Sequence, residues 1–278
     1  MGDTLPVRAR VARLFDQLAP GYDQGPVPWF RPIAARLVEL LAPRPGEAAL
    51  DVGAGRGAAT FPLVEAVGRS GRVTAVDVSP VMCDLLKESV AAVGARNVEV
   101  LVGEAGPATL GSARFDVVAA SLVLFFDPAP ATALAAWTSL VRPGGRIGLT
   151  TFGLADDAWT AAERVVLQYA SAETLDARTS GTRGPFASTA SMASLLASCG
   201  ATEVDSHDEP LHVDLPDAES WRAWSMTLGL RQVWESIPEA DRDEVFAEAA
   251  NHLQAARGAD GRLHLVQQVR YTTGRAPR

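Results

Sequence analysis

In the stretch LDVGAGRGAAT, Asp51 stands two residues ahead of Gly53, and Gly55 and Gly57 follow at alternate positions. Asp77 closes the apolar run RVTAV about 20 residues beyond Gly57. Glycines spaced this way let the backbone approach a ligand closely and open the N-terminus of a helix. Gly53, Gly55, Gly57 and Ala58 satisfy G-x-G-x-x-G/A, with Asp77 placed for a ribose, so a dinucleotide is one ligand they fit. Asp51 bears on the choice. A carboxylate at the ligand end of the strand repels a pyrophosphate and attracts a cation such as the ammonium group of S-adenosylmethionine.

Other residues able to do chemistry are few. Histidine is the usual base near neutral pH, and of His207, His212, His252 and His264 the first two flank a predicted sixth strand. With Tyr22 they are the catalytic candidates, while His252 and His264 read as surface or structural residues. Cys83 and Cys199 are far apart and match no metal-ligand spacing, so no metal site and a reduced, cytoplasmic protein are expected. Trp29, Phe30, Trp159 and Trp224 fall in segments expected to cover the site, and Phe125–Phe126 follow the fourth strand. Trp29, Phe30, Phe126, Trp159 and Trp224 are therefore the candidates to line an apolar substrate pocket, and Trp137 is expected to be structural.

The elements needed to position these residues are legible as alternating strands and helices. Val7, Val11, Leu14, Phe15 and Leu18 recur at helical spacing, APGYDQGPVP forms a loop, and a second helix runs from about Pro32 to Leu41. Strands are predicted at Ala48–Val52, Arg72–Val76, Val98–Val102, Phe115–Ala120 and Arg146–Phe152, the last after a turn at RPGG. Ser79–Pro80 supplies a hydroxyl cap and a first-turn proline for the helix after the second strand. Beyond Phe152 a helix over Trp159–Ala172, a loop at DARTSGTRGP and a helix over Ser188–Cys199 are expected. An extended Thr202–Leu215, helices over Ala218–Ile237 and Glu239–Arg257, and a last strand over Arg262–Thr273 complete the chain.

Strands alternating with helices imply a parallel sheet with ligands at the carboxyl ends of the strands. The division expected is an N-terminal helical lid (1–44), a cofactor-binding core (45–152) and a C-terminal part (153–278) with a helical cap at about 216–258. A formal charge of −8 and no compact basic cluster argue against nucleic-acid binding. No apolar run reaches the length of a membrane span, so no membrane partner is expected, and the partner expected is a small-molecule substrate. An apolar stripe on the first helix leaves room for a homo-oligomer through that helix or the cap.

Taken in order, these motifs resemble the class I S-adenosylmethionine-dependent methyltransferases. LDVGAGRG resembles the first motif and VTAVDVSPVMCDLL the second, where the resemblance puts Asp77 on both ribose hydroxyls. VGEAG takes the place of the adenine-binding turn, with Glu104 where the family usually has Asp, which shifts the adenine contact toward the backbone N–H of Ala105. ARFDVVAASLVLFF resembles the fourth strand and its active-site edge, and LVRPGGRIGLTTF the turn into the fifth strand. LFDQLAPGYDQ resembles the FDxxAxxYD lid segment of the ubiquinone/menaquinone-biosynthesis branch, and the C-terminal part resembles actinobacterial natural-product methyltransferases.

The resemblance implies a Rossmann-like, doubly wound α/β fold. Its seven-stranded sheet is mostly parallel with an antiparallel last strand, N-terminal helices and a helical cap before that strand. It implies S-adenosylmethionine as cofactor, S-adenosylhomocysteine as product, and Tyr22, Asp51, Gly53, Gly55, Asp77, Val78, Glu104, Ala105 and Ser121 as cofactor contacts. Replacing Asp77 by alanine is expected to weaken that binding and leave the fold intact. SLVLFFDP stands where amino-methylating relatives carry an Asn/Asp-Pro-Pro-Tyr sequence, which argues against DNA bases or protein glutamine as substrate.

An activated methyl donor needs mainly an acceptor held in line, by O- or C-methylation of a quinone-like or secondary metabolite. A phenol or enol gains from a general base. A prenyl or alkene carbon gains from aromatic faces that stabilise a cation, with cyclisation coupled to transfer. Two other functions remain: a cyclase of the same fold that keeps the cofactor without transferring methyl, and an NAD-dependent oxidoreductase, which Asp51 and the later motifs disfavour.

Overall fold

The computed structural model describes residues 7–23, 25, 27–112, 114–171 and 183–278. Seven strands form one sheet in the order β3-β2-β1-β4-β5-β7-β6. At its centre Ala48–Val52 (β1) is buried at every position, as an apolar parallel strand covered on both faces must be. β1 pairs in parallel with Arg72–Asp77 (β2) and Phe115–Ser121 (β4), and β2 pairs in parallel with Val98–Val102 (β3). Val141–Ala155 (β5) runs parallel to β4. Leu263–Arg275 (β7) lies antiparallel between β5 and Thr202–Leu215 (β6). This is the Rossmann-like sheet with an antiparallel last strand that the motifs imply. Strand order reverses between β1 and β4, so the crevice for a ligand opens at the carboxyl ends of those two strands.

The helices are Val7–Leu18 (α1), Phe30–Leu41 (α2), Thr60–Val67 (α3), Pro80–Ala92 (α4), Pro107–Leu110 (α5), Pro130–Ser139 (α6), Asp157–Leu167 (α7), Thr189–Ser198 (α8), Ala218–Ser225 (α9), Arg231–Ser236 (α10) and Arg242–Leu253 (α11). Leu37 of α2, Leu63 of α3, Val165 of α7, Trp221 of α9, Val233 of α10 and Leu253 of α11 share one core over one face of the sheet. Leu134 and Trp137 of α6 and Met192 and Leu196 of α8 cover the other. Among the described residues no helix is long and apolar enough to cross a membrane.

Several boundaries depart from the sequence expectation, three of them for a visible physical reason. RPGG is not a turn before β5 but an irregularity within it: Phe115 pairs with Val141 and Val117 with Arg146. Gly144 adopts φ +74°, and a Cβ on Gly145 would stand 2.9 Å from the carbonyl oxygen of Asp116, so glycine lets the strand bulge there. The predicted Ala218–Ile237 helix breaks after Ser225. The Thr227 hydroxyl bonds back to the Trp224 carbonyl at 2.7 Å, and the Trp234 indole N–H donates to Ser225 Oγ at 2.9 Å, turning α10 back on α9. α7 starts two residues before Trp159, because Asp156 caps it by accepting the Trp159 N–H at 2.8 Å. Ala172 and residues 176–182 of the predicted DARTSGTRGP loop lie outside the described residues.

Candidate functional site

β1 delivers the chain into the glycine turn, where Gly53, Gly55 and Gly57 take φ values of +66°, +51° and +92°. The N–H groups of Gly53 and Ala54 both donate to the Val76 carbonyl, at 2.8 and 3.1 Å, fastening the turn to the end of β2. A Cβ on Gly53 would lie 2.4 Å from Val123 Cγ2, and one on Gly57 2.7 Å from Leu86 Cδ1. On Gly55 it would meet no protein atom, because it would project into the open crevice. The outer glycines are thus required by packing, and the middle one keeps space clear for a ligand.

Two carboxylates stand beside this turn. Asp51 is buried and its Oδ2 accepts the Thr60 hydroxyl at 2.6 Å. Burial pushes its carboxyl up to about 7; the Thr60 bonds oppose this, and the charge of Asp77 adds to it. Asp77 accepts the Ser79 N–H at Oδ1 and the Gly55 N–H at Oδ2, each at 2.8 Å. Burial raises its carboxyl above the usual range, against those two N–H bonds. A carboxylate offers about four lone-pair sites, so Asp77 retains acceptor capacity on both oxygens.

The remaining predicted cofactor residues also line the crevice. Val78 follows Asp77, Glu104 and Ala105 form the turn after β3, and Ser121 ends β4 with its hydroxyl 3.2 Å from Thr150 Oγ1. Leu122 follows in the left-handed region at φ +55°, held by N–H bonds to Thr150. For a bulky residue this is a strained conformation of the kind found at binding sites.

Opposite these groups lies an aromatic wall. Tyr22 stacks on Phe30 with centroids 4.7 Å apart, and Phe15 meets Tyr22 and Phe126 edge-on at 5.8 and 5.0 Å. Burial, then the charges of Asp23 and Asp77, hold the Tyr22 phenol far above its ordinary range, so it stays protonated. Asp23 takes φ +57° and turns its carboxylate toward the Phe30 and Trp29 N–H groups, its charged form disfavoured chiefly by burial. Arg31 is 3.9 Å away, its side chain 77 % exposed against 13 % for Asp23, which puts the arginine at the mouth and the carboxylate inside. The two walls enclose a single cavity of about 990 Å³, at the upper end of small-molecule sites and roomy enough for two molecules.

Of the predicted substrate residues, Phe30 and Phe126 line this cavity. Trp29, Trp159 and Trp224 instead pack on one another with centroids 5.2–5.7 Å apart, 4 % exposed or less, and none of the three is on the cavity wall. Trp137 is nearly buried in the α6 core and shows one edge to the cavity. His207 and His212 lie within β6 and away from the cavity. His207 is clasped by Asp205 at 2.7 Å and Glu209 at 3.1 Å, which raise its pKa although burial acts the other way, and Glu209 is itself paired with Arg36 at 2.8 Å.

Sequence reasoning did not single out Phe15, Asp16, Asp23, Arg31, Arg56 or Thr60. The FDxxAxxYD match contained Phe15, Asp16 and Asp23. Arg56 and Thr60 were within the glycine stretch, but nothing in their spacing assigned them a partner.

The set of groups fits an adenosyl ligand that carries a cation. Two buried carboxylates flank the glycine turn, where a pyrophosphate would be repelled and a cation attracted. The family model described as a methyltransferase domain matches residues 49–145, which span β1 to the start of β5. Over 274 residues the chain is 36 % identical to nocamycin O-methyltransferase of Saccharothrix syringae, covering 94 % of this chain and 97 % of that one. The chain belongs to the class I S-adenosylmethionine-dependent methyltransferases. This methyltransferase is also 35 % identical over 144 residues to an aklanonic acid methyltransferase of Streptomyces sp. (strain C5), covering 52 % and 66 % of the two chains. In fold it is similar to a Haemonchus contortus phosphoethanolamine N-methyltransferase solved with S-adenosylhomocysteine. The TM-score is 0.62 at 13 % identity, over 100 % of this chain and 62 % of that one. The methyltransferase accordingly uses S-adenosylmethionine as its cofactor and is of the natural-product type.

Proposed function

We propose that the methyltransferase transfers the methyl group of S-adenosylmethionine to an oxygen atom of a largely apolar, quinone-like or secondary metabolite. The observation carrying this reading is the single cavity with the glycine turn, Asp51 and Asp77 on one wall and Phe15, Tyr22, Phe30 and Phe126 on the other. An oxygen acceptor is supported by the name of the nocamycin relative, and a natural-product substrate by the names of the nocamycin and aklanonic acid relatives. In this reading Asp51 meets the ammonium group, and Asp77 accepts from the ribose hydroxyls. Glu104 and the Ala105 N–H face the adenine, and Gly53, Gly55, Val78, Ser121 and Tyr22 complete the contacts.

When bound, S-adenosylmethionine supplies an already activated sulfonium methyl. The work left to the chain is orientation and exclusion of water, which can supply roughly 7–11 kcal/mol. Phe15, Phe30 and Phe126 hold an apolar acceptor against the cofactor, while the protonated Tyr22 donates into the cavity. Asp23 receives the proton of a neutral acceptor hydroxyl. Its burial makes it a stronger base than an exposed carboxylate, and the histidines are all away from the cavity wall.

The test is turnover with S-adenosylmethionine against hydroxyquinones, phenols and prenylated metabolites, with S-adenosylhomocysteine and O-methyl product measured together. Equal amounts of the two are expected. Turnover without S-adenosylhomocysteine would instead establish a cyclase, and a new C–methyl bond would reassign the acceptor atom.

A further inference from the structure

The C-terminal end of the lid helix α1 is tied to the two loops that carry the cofactor residues. In its last turn, Asp16 Oδ1 accepts the Ser79 hydroxyl at 2.6 Å and the Val81 N–H at 3.3 Å, at the start of α4. Just past that turn, Arg56 Nη1 donates to the Ala19 and Pro20 carbonyls at 3.1 and 3.3 Å. Ser79 is the residue whose N–H holds Asp77 Oδ1, and Arg56 follows Gly55, whose N–H holds Asp77 Oδ2. One continuous chain of bonds therefore runs from Asp16 through Ser79, Asp77 and Gly55 to the loop of Arg56 and back to the lid. Phe15, the residue before Asp16, meets Phe126 edge-on at 5.0 Å on the aromatic wall of the cavity.

The geometry points to Asp16 as a positioning residue that latches α1 over bound cofactor by reading the conformation of the Asp77 loop. The lid closes fully only where Ser79 and the glycine turn are in register, and those are the segments a ribose on Asp77 orders. The Asp16 charge also disfavours ionisation of Asp77. Ribose hydroxyls donating to Asp77 offset that repulsion, so closing and cofactor binding favour one another. Asp16 is a better probe than Ser79, because the Ser79 hydroxyl also caps α4 through the Met82 N–H at 3.1 Å. The inference rests on cofactor placement against Asp77, and the experiment separates the two.

S-adenosylhomocysteine is the probe and the full chain the protein. Its release is followed by stopped-flow displacement, and opening of α1 by trypsin cleavage after Arg13 with and without the probe. In the wild type the probe should slow cleavage several-fold. Asp16→Ala should release it about ten- to hundredfold faster, from the worth of a hydrogen bond to a charged group. That variant should also lose protection from trypsin while its unliganded melting midpoint stays close to the wild type. Asp16→Asn, which keeps an acceptor oxygen but not the charge, should fall between, and Arg56→Ala should behave as Asp16→Ala does. If Asp77→Asn speeds release but Asp16→Ala leaves release and protection unchanged, cofactor placement stands and the latch is overturned. If Asp77→Asn itself leaves release unchanged, the placement is wrong and the coupling falls with it.

Discussion

The Thr60 hydroxyl donates a 2.6 Å hydrogen bond to Oδ2 of Asp51, and both side chains are closed off from solvent. The bond spans the glycine turn, joining the end of β1 to the first residue of α3. It fixes a buried carboxyl at the switch point of the sheet, where a bound cation would favour its charged form.

Cofactor affinity should consequently fall as pH drops below about 7, the value to which burial pushes the Asp51 carboxyl from its ordinary 3.8. At lower pH the carboxyl is mostly protonated, and binding an ammonium must expel that proton, at a limit of about tenfold in affinity per pH unit. Calorimetry at pH 6 in two buffers of different ionisation enthalpy should read release of nearly one proton; none released would mean that Asp51 does not meet the cation. The stability linkage has the same origin. A carboxyl raised in the folded state favours folding below its unfolded pKa, and that contribution is lost as pH rises through 7. Bound cofactor should restore it, so the rise in melting temperature on binding should be larger at pH 8 than at pH 5.

Thr60→Val removes the hydroxyl donor from Asp51 at nearly constant volume. A stability loss of about 1–3 kcal/mol is expected from the buried acceptor left short of a partner. The Asp51 carboxyl should rise further, moving the affinity–pH curve toward alkaline pH. Denaturant titration and the calorimetric curve together check this, and an unmoved curve would show that Thr60 does not tune Asp51.

Asp77→Ala should do more than weaken cofactor binding, contrary to the sequence expectation of an intact fold. Its carboxylate is the acceptor for the Gly55 and Ser79 N–H groups, and each buried donor left alone costs about 1–3 kcal/mol. Urea unfolding without cofactor should show that loss for Asp77→Ala and a smaller one for Asp77→Asn, which keeps one acceptor oxygen.

Asp23→Asn suits the backbone, because asparagine tolerates the left-handed conformation that residue 23 adopts. With a phenolic acceptor kcat should fall about 10²–10⁴-fold, the worth of a general base, while cofactor affinity changes little. An acceptor already ionised at neutral pH should be spared. Unchanged kcat with the phenol removes Asp23 from the chemistry.

Trp224→Ala should destabilise the protein by about 3–5 kcal/mol, since its ring is 1 % exposed between Trp29 and Trp159. It also lies against the segment between α1 and α2: a Cβ on Gly25 would stand 3.1 Å from Trp224 Cδ1. The acceptor KM should therefore rise although Trp224 is absent from the cavity wall. A melting scan and acceptor saturation curves test the two effects separately.

Ala48–Val52 was legible because a parallel strand buried on both faces is a short apolar run, while the partly exposed Val98–Val102 and the antiparallel edge strand Thr202–Leu215 were read from their extended patterns and fall at the expected bounds. Break points inside elements were not, since they depend on distant partners. The split between α9 and α10 follows from the Ser225–Trp234 bond, and the bulge in β5 from the backbone of Asp116 pressed against Gly145.

By itself the sequence picked out the glycine-turn end of the cavity. Glycines at 53, 55 and 57 and carboxylates at 51 and 77 are set by local backbone conformation and by position at strand ends, which are short-range properties. Only the tertiary structure decided the other end. It turned Trp29, Trp159 and Trp224 into the core, kept His207 and His212 in β6 away from the cavity, and brought Phe15, Asp16 and Asp23 onto the site. Which face of a tryptophan or histidine meets solvent, core or cavity is settled by elements more than a hundred residues apart packing together, and no local pattern encodes that.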